Sequence, residues 1–541
     1  MHGEEIKSYR PGAGFFYTVG TEVASLKNRN QFIRNALLLS LVSILMRGLA
    51  VSFSAYVNRK IGPESMGLVT LTMSVYGFAV TVALSCVNLG AVRMTSARCA
   101  ELEGADAASW RYAMGRVMRA AAGYSLLFGL TSGAVLYLSS EMVAEKLLAD
   151  MRTLDSLRVL ALSLPFISLS SALSGYFTGI RKAAKNAAAT VAEQAVKIAV
   201  TSAALTLILP GNVEAACFAV VGGSAVSEAW TLLLHIILWL TDSKRPGGRI
   251  PGKEKKRIPA HIGEAASISF PAAVGTYARQ GLTTLEHLAI PKGLIRSGLT
   301  RQSALSVYGL LQGIAFPLVM FPYAVIHSFT SLLVPEMSEM QAAGDMEGIR
   351  GTVGKVYRAS AVFSVLACGI FVNYAPELGR MIYHSGEAAR FTVMLGLLVP
   401  FMYLDTAVDA VLKGLGEQVY SMKVNIADAA AGLVLVTLLT PVFGIDGYIL
   451  TIWLCEVGNL AASIRRLGKV TGVGVRDALP HYKLPVLSAA ILSALRLLLP
   501  ASVPPALSML LFAAGYALCV LGSLSGCIGR RGMSKSSCKA A

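Results

Sequence analysis

The segment from Gln31 to Gly67 constrains this chain most, because its apolar part is long enough to cross a lipid bilayer. The hydrocarbon core of a bilayer, about 30 Å thick, requires about 20 apolar residues in a helix. Arg47 lies near the middle of this segment, where insertion scales assign an arginine a cost of about 2.5–3.5 kcal/mol. A charge at that depth is typical of a helix that faces a water-filled cavity or a charged partner inside a bundle.

The apolar character continues through the chain, since 54% of its 541 residues are hydrophobic and only 15% are charged. Fourteen apolar stretches have the length of a membrane-spanning helix, which predicts an all-α polytopic membrane protein. The formal net charge of +17 lies mainly between these stretches. It therefore indicates loops beside anionic lipid headgroups, and we expect the bilayer rather than nucleic acid as the partner.

The basic residues are concentrated in alternate loops. If the N-terminus is cytoplasmic, most of the 48 lysines and arginines fall in cytoplasmic segments. An excess of Lys and Arg in cytoplasmic loops is the usual rule for membrane proteins. The sequence therefore predicts a multi-pass protein of the plasma membrane with both termini in the cytoplasm.

The two halves of the chain resemble each other. One alignment places Leu160–Gly179 on Leu395–Gly414, with their prolines and glycines in register. A second alignment places Gly67, Val92 and Ser96 on Gly309, Val334 and Ser338. Chance matching of apolar runs is the alternative, but the register of the glycines and prolines favours a repeat. Two copies of six helices in one orientation predict lobes related by a pseudo-twofold axis along the membrane normal, with the binding site between them.

This repeat predicts a division of the chain into two lobes with short additions. The predicted parts are a cytoplasmic segment (1–32), an N-lobe of helices one to six (33–242), a basic cytoplasmic linker (243–262), a C-lobe of helices seven to twelve (263–470), and two C-terminal helices with a basic cytoplasmic tail (471–541).

Two arginines are the main candidates for binding a substrate. Arg47 in the first span and Arg279 in the seventh occupy equivalent depths in equivalent helices. Facing each other, their planar guanidinium groups would suit a pyrophosphate. Alternatively, each neutralises a buried acid, for which Glu286 is available to Arg279. Arg59 and Lys197 are further substrate candidates, although Lys197 lies one turn from Glu193, a spacing typical of a local ion pair.

Acidic and amide side chains in the C-terminal half predict an ion-coupling site. The candidates are Asp405, Asp409, Asn425, Asp428 and Glu286, which would bind Na⁺ or H⁺. Alternatively, Asp405 and Asp409 pair with Lys413. The sequence predicts no catalytic residues, no metal centre and no cofactor other than the possible coupling ion.

Several short runs resemble a known family. They are Asn58 to Gly67, Gly175 to Gly179, Val334 to Glu339, Met402 to Asp405 and Leu412 to Gly416. In order and spacing they resemble the polysaccharide flippase branch of the multidrug/oligosaccharidyl-lipid/polysaccharide exporter superfamily. Within it, they are similar to the stage V sporulation protein B subgroup and to lipid II flippases.

This resemblance implies a non-enzymatic transporter of fourteen helices in two lobes. Such proteins move undecaprenyl-pyrophosphate-linked sugars to the outer leaflet by alternating access, for cell-wall, spore-cortex or polysaccharide synthesis. The lipid II flippases use arginines of the first and seventh helices in a cationic cavity, and Arg47 and Arg279 match those positions. The implied partners are the lipid-linked sugar and enzymes of cell-wall synthesis.

Two other functions remain open from the sequence. A cation-coupled multidrug exporter of the same superfamily would have an acid-lined cavity in which Asp405, Asp409 or Glu286 is indispensable. A non-transporting scaffold for cell-wall enzymes would instead hold Arg47 and Arg279 in salt bridges inside their own lobes.

Overall fold

The computed structural model describes residues 20–101, 107–207, 212–243, 262–383, 388–498, 500 and 503–520. Nothing in these ranges is a strand. The linker and most of both terminal segments, whose cytoplasmic position the sequence predicts, lie outside them.

Seventeen α-helices make up the described chain, joined by short turns and by π-helical and 3-10 segments. They are α1 Gly20–Leu84, α2 Val87–Glu101, α3 Ala107–Met142, α4 Leu154–Gly179, α5 Ala183–Thr206, α6 Val213–Ser243, α7 Ile262–Arg296, α8 Arg301–Gly309, α9 Phe316–Met320, α10 Tyr323–Ala342, α11 Met346–Leu378, α12 Ala389–Gly396, α13 Val399–Gly414, α14 Gln418–Phe443, α15 Ile445–Thr471, α16 Val475–Arg496 and α17 Pro505–Val520.

Within the described residues, nine helical segments are long and apolar enough to cross a membrane. The number is ten if α12 and α13, which meet at a bend of 48°, form one span. This confirms the predicted all-α polytopic membrane protein, whereas the number of fourteen spans stays a prediction. Helices α5 and α7 are not among the nine, and both carry charged residues.

Helix α1 contains the first predicted span and most of the second as two limbs separated by a break. At the break Gly62 has φ 78° and ψ 169°, a conformation that favours glycine because it has no Cβ. Pro63 follows, and it has no N–H to donate to the preceding turn. Because of this break, the two limbs can lie against different neighbours. The second limb ends at Leu84.

The predicted repeat is visible in the packing of the two halves. In the N-lobe the Ser96 hydroxyl donates a hydrogen bond to the carbonyl of Gly179 over 3.4 Å. In the C-lobe the Ser338 hydroxyl donates to the carbonyl of Gly414 over 2.8 Å. The alignment equates these serines and these glycines with each other, and both glycines lie too close to the facing helix to admit a Cβ without displacement. The domain boundaries themselves stay a prediction.

The lobes meet where two glycines that the alignment equates contact each other. A Cβ on Gly67 of α1 would lie 2.1 Å from the carbonyl oxygen of Leu305, and one on Gly309 of α8 would lie 2.1 Å from that of Pro63. Contact between equivalent positions is what a twofold axis between the lobes would produce. Glycine therefore permits a close crossing of α1 and α8 that a larger residue would prevent.

We expect Gly67→Val to separate α1 from α8 and to destabilise the protein. Forced overpacking of a tight contact costs about 1–3 kcal/mol or more, so the thermal unfolding temperature in detergent should fall by several degrees. The matched control is Gly351→Ala on α11, where an added Cβ meets no atom within 4 Å. Equal unfolding temperatures for both variants would show that the crossing is not tight.

Candidate functional site

Arg47 lies on the first limb of α1 with its side chain exposed. A Cβ on the adjacent Gly48 would lie 3.4 Å from the ring of Phe321, which precedes α10. The guanidinium group also lies close enough to Tyr403 of α13 to interact with it electrostatically. Both aromatic residues belong to the C-lobe, so this part of α1 faces across the boundary between the lobes. No carboxylate in the described part of the chain forms an ion pair with Arg47.

Arg279 is exposed on α7, close to a point where this helix touches the N-lobe. A Cβ on Gly281 would lie 3.3 Å from the ring of Phe78 on the second limb of α1. Arg279 interacts electrostatically with Asp428 of α14, rather than with Glu286, the partner that the sequence suggested. Binding of one ligand by both arginines stays a prediction.

The other two basic candidates lie elsewhere. Arg59 is exposed about three turns further along α1 than Arg47, or about 18 Å along the helix axis. Lys197 is half-buried in α5 and interacts electrostatically with Glu193 and Glu228. Among the residues described, Lys197 and Glu193 do not form the direct ion pair that their spacing predicts. Substrate roles for Arg59 and Lys197 are untested.

A polar cluster in the N-lobe includes residues that our reading of the sequence missed. The Tyr76 hydroxyl donates to the Glu228 carboxylate, 2.8 Å from Oε1 and 2.7 Å from Oε2. It also lies 2.7 Å from the Ser163 hydroxyl. Glu228 lies in the apolar middle of α6, whereas the other acids of this helix, Glu214 and Asp242, lie at its ends. A lone acid in an apolar stretch was the signal that would have identified it.

Four carboxylates from four helices interact with one another in the C-lobe. Asp428 of α14 interacts with Glu286 of α7, Asp405 of α13 and Glu456 of α15. Gly432, one turn after Asp428, provides space for this arrangement, since a Cβ there would lie 3.0 Å from Glu286 Oε2. One oxygen of Asp405 is buried and has no hydrogen-bond partner among the described residues.

The structure thus brings together three predicted coupling residues and adds Glu456. Like Glu228, Glu456 is an isolated acid within an apolar helix, which was the available signal. No three His, Cys, Asp or Glu side chains converge closely enough to hold a metal ion in the part of the chain described. The cluster is a group of neighbouring carboxylates whose negative charges repel one another.

Asp409 and Asn425 make other contacts. Asp409 Oδ2 lies 2.5 Å from Lys413 Nζ, which is the alternative that the sequence left open. Asp409 also accepts a hydrogen bond from the Ser421 hydroxyl. The Asn425 amide donates to the Ser421 carbonyl over 2.8 Å. Lys413 offsets the charge of Asp409, and a coupling role for Asp409 or Asn425 is untested.

Two cavities, of about 620 and 770 Å³, lie near the break in α1 and beside α4 to α6. The smaller has polar walls that include Lys60, Glu64 and Gln302, while the larger is mainly apolar. Neither of these two cavities includes Arg47 or Arg279 in its lining. A cationic cavity around the arginines therefore stays a prediction.

Comparison with known families decides the class of protein. Residues 32–341, more than half of the chain, match the family described as polysaccharide biosynthesis protein. The chain belongs to this family. The matched range includes Arg47, Arg279 and the contact between α1 and α8, which places these features in the part shared with the polysaccharide biosynthesis proteins.

One relative and two solved structures extend this result. The chain is 23% identical to "Stage V sporulation protein B" of Bacillus subtilis (strain 168) over 426 residues, which are 78% of this chain and 81% of the relative. Its fold resembles "Lipid II flippase MurJ, inward closed conformation", with a TM-score of 0.65, 14% identity and coverage of 90% and 99% of the two chains. It also resembles an inward-facing "multidrug resistance MATE family transporter of the MOP superfamily", with a TM-score of 0.61, 15% identity and coverage of 80% and 97%.

These findings confirm the predicted resemblance to polysaccharide biosynthesis proteins, to stage V sporulation protein B and, in fold, to a lipid II flippase. The chain is thus a multi-pass membrane protein of the polysaccharide biosynthesis family, and its fold resembles those of a flippase and a transporter. The structural likenesses, at 14% and 15% identity, concern the fold alone.

Proposed function

We propose that this protein flips an undecaprenyl-pyrophosphate-linked oligosaccharide across the plasma membrane by alternating access. The observation that carries the proposal is Arg47, an exposed cation at mid-span depth that faces the C-lobe with no acidic partner in the described residues. A cation retained at such a depth is expected to serve a ligand or a pathway. A pyrophosphate would supply the oxygens that its guanidinium can bind in parallel.

Arg279 supports the same assignment from the other lobe. It is exposed on α7, next to a contact with the N-lobe, and its charge interacts with that of Asp428. A ligand that binds both arginines would be held between the lobes. Rocking of the lobes around this position would then expose the headgroup alternately to each side of the membrane.

We infer that the four carboxylates of the C-lobe bind the coupling cation. Binding of a cation relieves the repulsion among Glu286, Asp405, Asp428 and Glu456. A proton requires one oxygen, such as the buried Asp405 oxygen that has no hydrogen-bond partner among the described residues. We therefore propose a proton as the coupling ion.

The test measures the rate at which the purified protein flips fluorescent undecaprenyl-pyrophosphate-linked sugars in reconstituted vesicles. Dithionite, added outside, quenches only the outer leaflet and so reports the rate at which lipid crosses. Vesicles without protein and vesicles tested with ethidium, a lipophilic cation, are run in parallel. Faster exchange of the lipid supports the proposal, and transport of ethidium alone favours the multidrug exporter. Absence of both activities in folded protein favours the scaffold.

We also propose a topology, partners and a biological role for the protein. The predicted topology places both termini in the cytoplasm, where lipid-linked precursors are made, and enzymes of cell-wall synthesis are the proposed partners. The likeness to stage V sporulation protein B supports a role in spore formation.

A further inference from the structure

Two ion pairs join the N-lobe to the C-lobe among the described residues, and they lie at opposite ends of the bundle. We call the end that carries Arg98, Lys182 and Lys185 the inner end, following the predicted topology. The outer end carries the α3–α4 turn and the start of α8.

The outer ion pair connects Arg301, the first residue of α8, to the turn between α3 and α4. Arg301 Nη2 lies 3.3 Å from Asp150 Oδ2. The same nitrogen donates to the carbonyl of Leu148 over 3.0 Å. One guanidinium group of the C-lobe thus binds a side chain and the backbone of a single N-lobe turn.

Asp150 is held in place for this contact. Its side chain is only 6% exposed, and Arg152 Nη2 lies 2.8 Å from Oδ2. Arg152 in turn lies 3.2 Å from Glu64, just after the break in α1. Burial alone would raise the pKa of Asp150, but the hydrogen bonds and charge of Arg152, together with the charge of Arg301, lower it. Asp150 is therefore an anion at neutral pH.

The inner ion pair connects the end of α2 to the start of α7. Arg98 Nη2 lies 3.5 Å from Glu264 Oε1, and Arg98 Nη1 lies 2.6 Å from Glu101 in its own lobe. Further from the inner end the same two helices stay close, since a Cβ on Gly90 would lie 2.3 Å from the Ser269 hydroxyl.

We propose that Arg301–Asp150 and Arg98–Glu264 are opposing latches that hold the outer and inner ends of the lobes together. This inference rests on the proposed alternating access, in which the lobes separate at one end while they stay closed at the other. Each opening breaks one ion pair and leaves the other intact. In each pair one partner reaches solvent, and the more buried partner keeps a second ion pair inside its own lobe. Each latch therefore biases the equilibrium without locking it.

The test measures distances between the lobes in the full chain in lipid nanodiscs, without substrate. Spin labels on non-natural residues at Met142 and Phe443 report the outer end, and labels at Tyr112 and Val419 report the inner end. All four side chains are exposed. Arg301→Gln should raise the population with a wide outer end, and Arg98→Gln the population with a wide inner end, each by about twofold to fivefold.

The control is Arg390→Gln, which removes an ion pair of 2.7 Å with Asp446 inside the C-lobe. It should change neither distance distribution. Glu264→Gln should reproduce the effect of Arg98→Gln, which covers the case in which the arginine variant fails to fold. Unchanged distributions, or shifts in the same direction for both latch variants, would overturn the proposal. These distances are measured without substrate. A negative flipping assay would therefore not affect the conclusion that the two ion pairs control the separation of the lobes.

Discussion

Arg47→Ala and Arg279→Ala are each expected to reduce flipping of the lipid-linked sugar by about tenfold to a hundredfold. A hydrogen bond to a charged group contributes about 1.5–3 kcal/mol, and each 1.4 kcal/mol is a factor of ten in affinity. Since neither side chain is buried, truncation should leave folding and membrane insertion intact. The measurement is the initial rate at which labelled lipid becomes accessible to dithionite, in proteoliposomes with equal amounts of inserted protein.

Lysine variants at the same positions refine this prediction. Lysine keeps the charge but has no planar fork, so Arg47→Lys and Arg279→Lys should retain only part of the activity. Lys355→Ala on α11, which removes another exposed cation, is the control and should behave as wild type. Wild-type flipping by both alanine variants would contradict a role for the arginines in substrate binding.

Asp405→Asn and Glu456→Gln are expected to abolish the response of flipping to an imposed proton gradient. These amides resemble a protonated carboxyl in shape but cannot take up or release a proton. Because each removes one of four mutually repelling charges, the unfolding temperature should stay the same or rise. The measurements are flipping rates with and without a pH gradient, and thermal unfolding of the same preparations.

Loss of gradient dependence without loss of stability is the combination that identifies a coupling site. Asp446→Asn, which removes an exposed carboxylate at the outer end, should change neither quantity. A marked fall in unfolding temperature for Asp405→Asn would instead assign the carboxylate a structural role. If the flipping rate depended on a sodium gradient instead of a proton gradient, the coupling ion would be Na⁺ and the carboxylates would still be the proposed site.

The fold was largely predictable from the sequence because membrane helices and a duplicated chain leave strong signals. Long apolar runs indicate the class of protein, and glycines in register indicated the repeat; the structure shows two of these equivalent glycines, Gly67 and Gly309, in contact. The break at Gly62 and the bend between α12 and α13 are harder to predict. They depend on backbone conformations that neighbouring helices stabilise, and hydropathy does not report these.

The site was predictable in part, for a physical reason. A charge within an apolar run is conspicuous, which made Arg47, Arg279, Asp405, Asp428 and Glu286 candidates; their functional roles stay predictions. Which charges interact depends on the packing of helices distant in sequence, so the partnership of Arg279 with Asp428 and the place of Glu456 emerged only from the structure. The latch of Arg301 with Asp150 was unpredictable for the same reason.

The most direct test of the central claim is the affinity of the purified protein for undecaprenyl pyrophosphate compared with undecaprenyl monophosphate, measured by native mass spectrometry. The two arginines should give the diphosphate the tighter binding, and Arg47→Ala combined with Arg279→Ala should abolish the preference. Equal affinities in the wild type, or a preference that survives in the double variant, would contradict the account.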